Sequence, residues 1–180
     1  LIGQGMGPVA AYLSVEEVIR AALAAGVDAI HPGYGFLSEN ADFAEACAAA
    51  GLIFIGPPPG VMRALGNKVS ARNLAEAAGV QVMPATIPLP EDPAEIARLA
   101  EAVGFPVMLK ASWGGGGRGM RMIETAAELQ EQVEAGRREA EAAFGNGEVY
   151  LEKLVAHAHH VEVQVLGDAH GRRVHLFERD

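Results

Sequence analysis

The sequence predicts an α/β fold, opening with a parallel sheet covered by helices and continuing as a mixed α+β arrangement. Three observations carry this reading. Helix-like and strand-like segments alternate through the first third, and a strand–helix–strand succession falls within about 30 residues, the length of a βαβ unit. In the middle, the apolar "FPVMLKAS" runs into four consecutive glycines and emerges as "MRMIET", a strand–loop–strand pattern. At the end, "HVEVQVLG" and "RRVHLFE" flank a "DAHG" turn, as in an antiparallel hairpin.

Taken in order, "SVEEVIRAALAAG" pairs Ser14 with Glu17 as a capping box and places Gly26 where the helix should stop. Val15, Val18, Ile19, Ala22 and Leu23 line one face of that helix. "VDAIHP" reads as a short buried strand, "GYGFLSEN" as a turn, and "ADFAEACAAAG" as a helix ended by Gly51. "LIFIGPPP" is a strand halted by prolines, which cannot donate to a sheet. Two helices are expected around "GVMRALG" and "KVSARNLAEAAG". In "LPEDPAEIARLAEAVG", Asp92 is the N-cap, Pro93 the first helical residue and Gly104 the stop. After the strands that flank the glycines, Thr125 and Glu128 form a second capping box for the helix "AAELQEQVEAGRREAEAAF". "EVYLEKLV" is strand-like, and in the final hairpin Val161, Val163 and Val165 alternate with His160, Glu162 and Gln164.

Of 180 residues half are apolar, enough for one or two small domains with a real core. Fourteen basic against 23 acidic residues, a net charge of −9, argue against nucleic acid or an anionic membrane as the main partner. One cysteine, Cys47, excludes an internal disulfide and reads as a buried thiol. No apolar run reaches the ~20 residues needed to span a bilayer, and "LIGQGMGPVA" lacks the features of a signal peptide. A reducing compartment is expected: the cytoplasm, or the mitochondrial matrix if the source is eukaryotic. Neither end carries a polar tail or a helix cap, so the sequence reads as an excerpt of a longer polypeptide.

Gly114, Gly116 and Gly119 satisfy G-x-G-x-x-G, but their setting decides what that means. A dinucleotide-binding turn needs a helix directly after the glycines, and "MRMIET" is strand-like. A Walker loop needs G-K-[ST] at its end, and none follows. What remains is a hairpin flap whose backbone N–H groups lie over a polyphosphate, with Lys110 aimed beneath it on the same face as Met108. A surface loop beside a solvated lysine is the plainer alternative. "HAHH" would set His157 and His159 on one face, yet with no third ligand at suitable spacing a zinc site is not expected.

"HPGYGFLSEN", "FIGPPP", "LGNKVSARNLA", "PVMLKASWGGGGRGMR", "VYLEKLV" and "HVEVQVLGD…HLFERD" occur in this order. Together they resemble the amino-terminal part of the biotin carboxylase family, within the ATP-grasp superfamily. "AAYLSVEEVI", "GNKVSARNLA" and the tryptophan of "KASWGGGG" resemble the form found in pyruvate carboxylases more than the acetyl-CoA carboxylase subunit. The resemblance implies a Rossmann-like pre-ATP-grasp domain over residues 1–66 and the first part of an ATP-grasp domain over 67–180. A lid at about 82–154 would carry the glycine flap. It also implies a reaction: ATP phosphorylates bicarbonate to carboxyphosphate, which supplies CO2 to N1′ of biotin on a carrier domain. A carboxyltransferase domain of the same chain would then convert pyruvate to oxaloacetate, in a homo-oligomer.

By the same resemblance, Lys68 and Lys110 contact the nucleotide phosphates, and Gly116 and Gly117 belong to the flap. Met120 lies in the apolar wall of the adenine slot. Glu152, Lys153, Leu154 and Val155 form the segment that reads the adenine edge, and His160 contacts the nucleotide. The carboxylates for magnesium or manganese, the catalytic arginine and the bicarbonate-holding lysine come after Asp180 in the family. No catalytic or metal residue is therefore expected here, and the segment alone is expected to be inactive. His159 departs from the family's usual arginine, exchanging a permanent positive charge for an imidazole. Other readings are an acetyl-CoA or propionyl-CoA type carboxylase, an ATP-grasp ligase joining carboxylate to amine or making carbamoyl phosphate, and a non-catalytic interaction fragment.

Overall fold

The computed structural model describes residues 1–113 and 120–180. The helices are α1 (Pro8–Leu13), α2 (Val15–Ala25), α3 (Ala41–Ala49), α4 (Pro59–Gly66), α5 (Lys68–Ala77), α6 (Pro93–Val103) and α7 (Leu129–Phe144). The strands are β1 (Ala29–Ile30), β2 (Ile53–Phe54), β3 (Val107–Ala111), β4 (Arg121–Ile123), β5 (Val149–Lys153), β6 (Glu162–Gly167) and β7 (Arg173–Arg179).

β1 and β2 pair in parallel, Ala29 with Ile53 and Ile30 with Phe54, with α3 as their crossover. This is the expected βαβ unit. Its core gathers Leu37, Phe43, Cys47 and Leu52, with Val15, Val18, Ile19 and Ala22 of α2 packed against it. Phe43 meets Phe54 edge to face, ring centres 5.8 Å apart. Two expectations need correcting here. Leu23 is exposed rather than on the packed face, and β1 is only half-buried, because this sheet has two strands among the described residues.

Helix ends follow the cap chemistry closely. The Ser14 hydroxyl accepts the Glu17 amide and Gly26 closes α2 in the left-handed conformation. The reciprocal half of the box is absent: the Glu17 carboxylate instead accepts the Gly3 amide at 2.8 Å and holds Arg20. That contact folds the preceding loop back onto α2 and supports α1, a helix not anticipated from sequence. Gly3 sits so close to α1 that a Cβ there would stand 2.2 Å from that of Ala11. Asn40 caps α3 and Asp92 caps α6. The Thr125–Glu128 box does not form. Thr125 donates to the Glu128 carboxylate at 3.2 Å instead of accepting its amide, so Ala126–Glu128 tightens into a 3-10 turn and α7 begins at Leu129.

β4, β3 and β5 form an antiparallel sheet in that order. α6 and α7 cover one face, where Val107, Leu109, Ile123, Val149 and Leu151 meet Ile96, Ala100, Leu129, Val133 and Ala140. Residues 84–89 run along the outer edge of β5, with Thr86 N–H on the Leu151 carbonyl and Leu89 N–H on that of Val149. β6 and β7 make the expected hairpin, closed by Asp168, whose carboxylate accepts the amides of His170 and Arg172. The clean alternation expected in β6 is interrupted, since the register shifts between Val163 and Val165.

Candidate nucleotide site

Residues opposed across an antiparallel pair share a face. Val107, Leu109 and Ala111 point into the helix-covered core, so Met108 and Lys110 emerge on the other side of the sheet. Met108 lies opposite Met122 and Glu152, and Lys110 opposite Tyr150. The outer face thus carries two methionines, a lysine, a tyrosine and a glutamate drawn from three strands. The Lys110 ammonium bonds directly to Glu152, and both side chains remain about a fifth exposed (23% and 20%). The Tyr150 hydroxyl donates toward the second Glu152 oxygen at 3.4 Å. Burial, reinforced by the Glu152 charge, lifts the Tyr150 phenol above its ordinary pKa and keeps it protonated as a donor.

Lys68 reaches the same place from α5. Its amide donates to the Ser112 carbonyl at 2.9 Å, just beyond Lys110 along the chain. Burial holds the Lys68 ammonium below its ordinary pKa, and the Lys110 charge lowers it further; Glu39 and Glu152 partly oppose both. Two cations drawn together with limited solvent are stabilised by any anion that binds between them, and a polyphosphate has the charge and reach to do so. Glu39, from the "GYGFLSEN" turn, is near enough for its charge to act on Lys68. Sequence reasoning did not single it out, nor Tyr150.

Other expected residues have defined surroundings. The Lys153 ammonium caps the end of α6, on the carbonyls of Gly104 (2.7 Å) and Phe105 (3.0 Å). Its amide donates to Pro84, and the Leu154 amide to Pro106 at 3.3 Å. Val155 and Met120 are exposed, at 47% and 48%. His160 is exposed in the stretch leading to β6, with His157 and His159 near it in sequence. Gly116 and Gly117 lie outside the described residues, although the strands on either side of that run pair antiparallel, Leu109 with Arg121. Among the described residues, no three His, Cys, Asp or Glu side chains are gathered as a metal ion requires, and no helix is long and apolar enough to cross a membrane.

A βαβ unit joined to a helix-backed antiparallel sheet with a lysine-lined outer face is the architecture of the ATP-grasp class. Residues 2–62 match the family described as "Biotin carboxylase, N-terminal domain", and residues 67–180 that described as "Carbamoyl-phosphate synthase L chain, ATP binding domain". The chain belongs to the second of these families, whose match covers more than half of its length, and carries the biotin carboxylase N-terminal domain ahead of it. It is 52% identical over 181 residues to pyruvate carboxylase 1 of Caenorhabditis elegans, covering 100% of this chain and 15% of that protein. The structure of Rhizobium etli pyruvate carboxylase superposes with a TM-score of 0.88 at 63% identity, over 96% of this chain and 15% of the other. The biotin carboxylase domain dimer of Hydrogenobacter thermophilus 2-oxoglutarate carboxylase, in complex with MgADP, ADP and bicarbonate, superposes at 0.93 with 43% identity, over 99% of this chain and 39% of the other. The chain therefore spans about 15% of the length of the curated relatives it matches.

Proposed function

We propose that this chain forms the opening part of the nucleotide site of a biotin carboxylase, in a longer protein that uses ATP and bicarbonate to carboxylate biotin. The single observation that carries this is the Lys110–Glu152 pair on the outer face of the β4–β3–β5 sheet, with Lys68, the first residue of α5, held by its amide to the Ser112 carbonyl just past the end of β3. Lys68 and Lys110 bind phosphate oxygens. Glu152 neutralises Lys110 before the nucleotide arrives and then turns to the nucleoside with the backbone of residues 153–155. Met120, beside Met108 and Met122, supplies apolar wall for the base, and His160 completes the contact. Gly116 and Gly117 are assigned to phosphate binding through their backbone amides, and exclusion of water there favours transfer to bicarbonate over hydrolysis. The ligands for magnesium or manganese are assigned to another part of the longer protein.

The pre-ATP-grasp part is placed at residues 1–66 and the ATP-grasp part at 67–180, with α6, β3, β4, α7 and β5 inside a lid of about 82–154. The likeness to pyruvate carboxylases supports pyruvate as final acceptor, with a biotin carrier and a carboxyltransferase in the same chain, in a homo-oligomer of the cytoplasm or mitochondrial matrix. The full-length protein should cleave ATP in a bicarbonate-dependent manner, stimulated by free biotin. Cleavage that requires ammonia or an amino acid would identify another ATP-grasp ligase, and no cleavage at all would leave an interaction role.

A further inference from the structure

Asn67 is buried, at 6% exposure, and its side chain does two jobs. Its oxygen accepts the amides of Val69 (2.9 Å) and Ser70 (3.0 Å), capping α5. Its nitrogen donates to the Glu148 carboxylate at 3.1 Å, 81 residues away in the chain. The Glu148 carbonyl accepts the Ser112 amide at 3.0 Å, and the Ser112 carbonyl accepts the Lys68 amide at 2.9 Å. Since Lys68 follows Asn67 directly, these bonds close a ring: Asn67, Glu148, Ser112, Lys68. The ring ties the first turn of α5 to the end of β3, two residues past Lys110, and to the residue before β5. Serine or aspartate would cap α5 about as well as asparagine does. Of these, only asparagine also offers the amide N–H that Glu148 takes.

We propose that Asn67 and Glu148 are positioning residues that fix Lys68 against Lys110 for phosphate binding. The inference rests on the reading of Lys68 as a phosphate ligand. A lysine at the first position of a helix can be no better placed than the helix start, and a misplacement of about 1 Å is enough to lose much of a binding contact.

The test uses the full-length protein, with ATP and bicarbonate KM, kcat and thermal midpoint measured for each variant. Asn67→Asp keeps the capping oxygen but sets a second carboxylate against Glu148. It should raise the ATP KM about tenfold, the size of losing a hydrogen bond that holds a charged group, and leave the bicarbonate KM unchanged. Adding Glu148→Ala removes the repulsion and should restore the ATP KM to within about threefold. Glu148→Ala alone should raise it about threefold, and Glu148→Gln, which still accepts from Asn67, should not. If Asn67→Asp does not fold, the two Glu148 variants decide. In a Lys68→Met background, Asn67→Asp should add nothing. An unaltered ATP KM in Asn67→Asp, no rescue by Glu148→Ala, or an equal effect with Lys68 absent would each overturn the proposal. Should Lys68→Met itself leave the ATP KM unchanged, the phosphate role of Lys68 falls too, which separates the two failures.

Discussion

Lys110 and Glu152 stand diagonally across β3 and β5, and their side chains meet on the outer face of the sheet. The pair is partly buried, so removing one member strands the other in a poorly solvated position. Lys110→Ala in the full-length protein should raise the ATP KM by roughly tenfold to a hundredfold, the range expected for losing a charge-assisted hydrogen bond to phosphate, and lower the thermal midpoint as well. The double variant Lys110→Met with Glu152→Gln should recover most of the midpoint and none of the ATP affinity. If ATP affinity returns along with stability, Lys110 serves the fold and not the nucleotide.

The pH dependence of binding follows from Lys68. Its ammonium is held below the ordinary value of 10.5 by burial and by Lys110. Phosphate binding favours the charged form and raises that pKa again. Between the lowered pKa of the free protein and the raised one of the complex, the free protein binds fewer protons than the complex, so ATP binding should take up protons in this alkaline window and weaken as pH rises through it. Calorimetry of the full-length protein in buffers of differing ionisation heat measures the uptake. An uptake that survives Lys68→Met would have to come from another group.

Much of the fold was legible because its signals are local. Ser14 and Asp92 cap the helices that follow them, and Gly26 and Gly104 end those same helices, from chemistry contained in a few residues. Where two local options competed, sequence could not choose: Thr125 and Glu128 bond to each other, and Glu17 leaves its cap for Gly3 and Arg20. Helix α1 was missed because six residues beginning with a proline carry little periodic signal. At the site, Lys110 and Glu152 lie 42 residues apart and meet only through the register of β3 and β5. Asn67 was the one missed residue with a readable signal, as a helix-capping asparagine directly before a candidate lysine.

The core between α7 and the β4–β3–β5 sheet allows a test of packing. Gly136 of α7 faces β3, and a Cβ placed on it would stand 2.4 Å from Leu109 Cδ2, in a core where Leu109 is fully buried. Gly136→Ala gains about 1 kcal/mol of helix propensity, but overpacking costs about 1–3 kcal/mol, so the net effect should be destabilising. Leu109→Ala alone should cost about 2–5 kcal/mol. Together the two should cost less than their sum by about 1 kcal/mol or more, since the new methyl occupies part of the hole. Denaturant unfolding of the four proteins measures this coupling, and additivity would mean that α7 shifts freely on the sheet.

The link between the first loop and α2 should show in acid. Arg20, and then the Gly3 amide, hold the Glu17 carboxyl down at about 2, against an ordinary value of 4.5. A carboxylate whose folded pKa is depressed contributes stability that is complete above its unfolded pKa and is lost as pH falls through the folded one. Glu17→Gln keeps an oxygen for the Gly3 amide but discards the charge paired with Arg20. The variant should melt below the parent at neutral pH, with the gap narrowing between about 4.5 and about 2 as the parent's own carboxylate is protonated. Thermal midpoints of both proteins across that range provide the measurement. A gap that stays constant with pH would show that the contact acts through shape alone, and that the Arg20 pairing, exposed as it is, is fully screened by solvent.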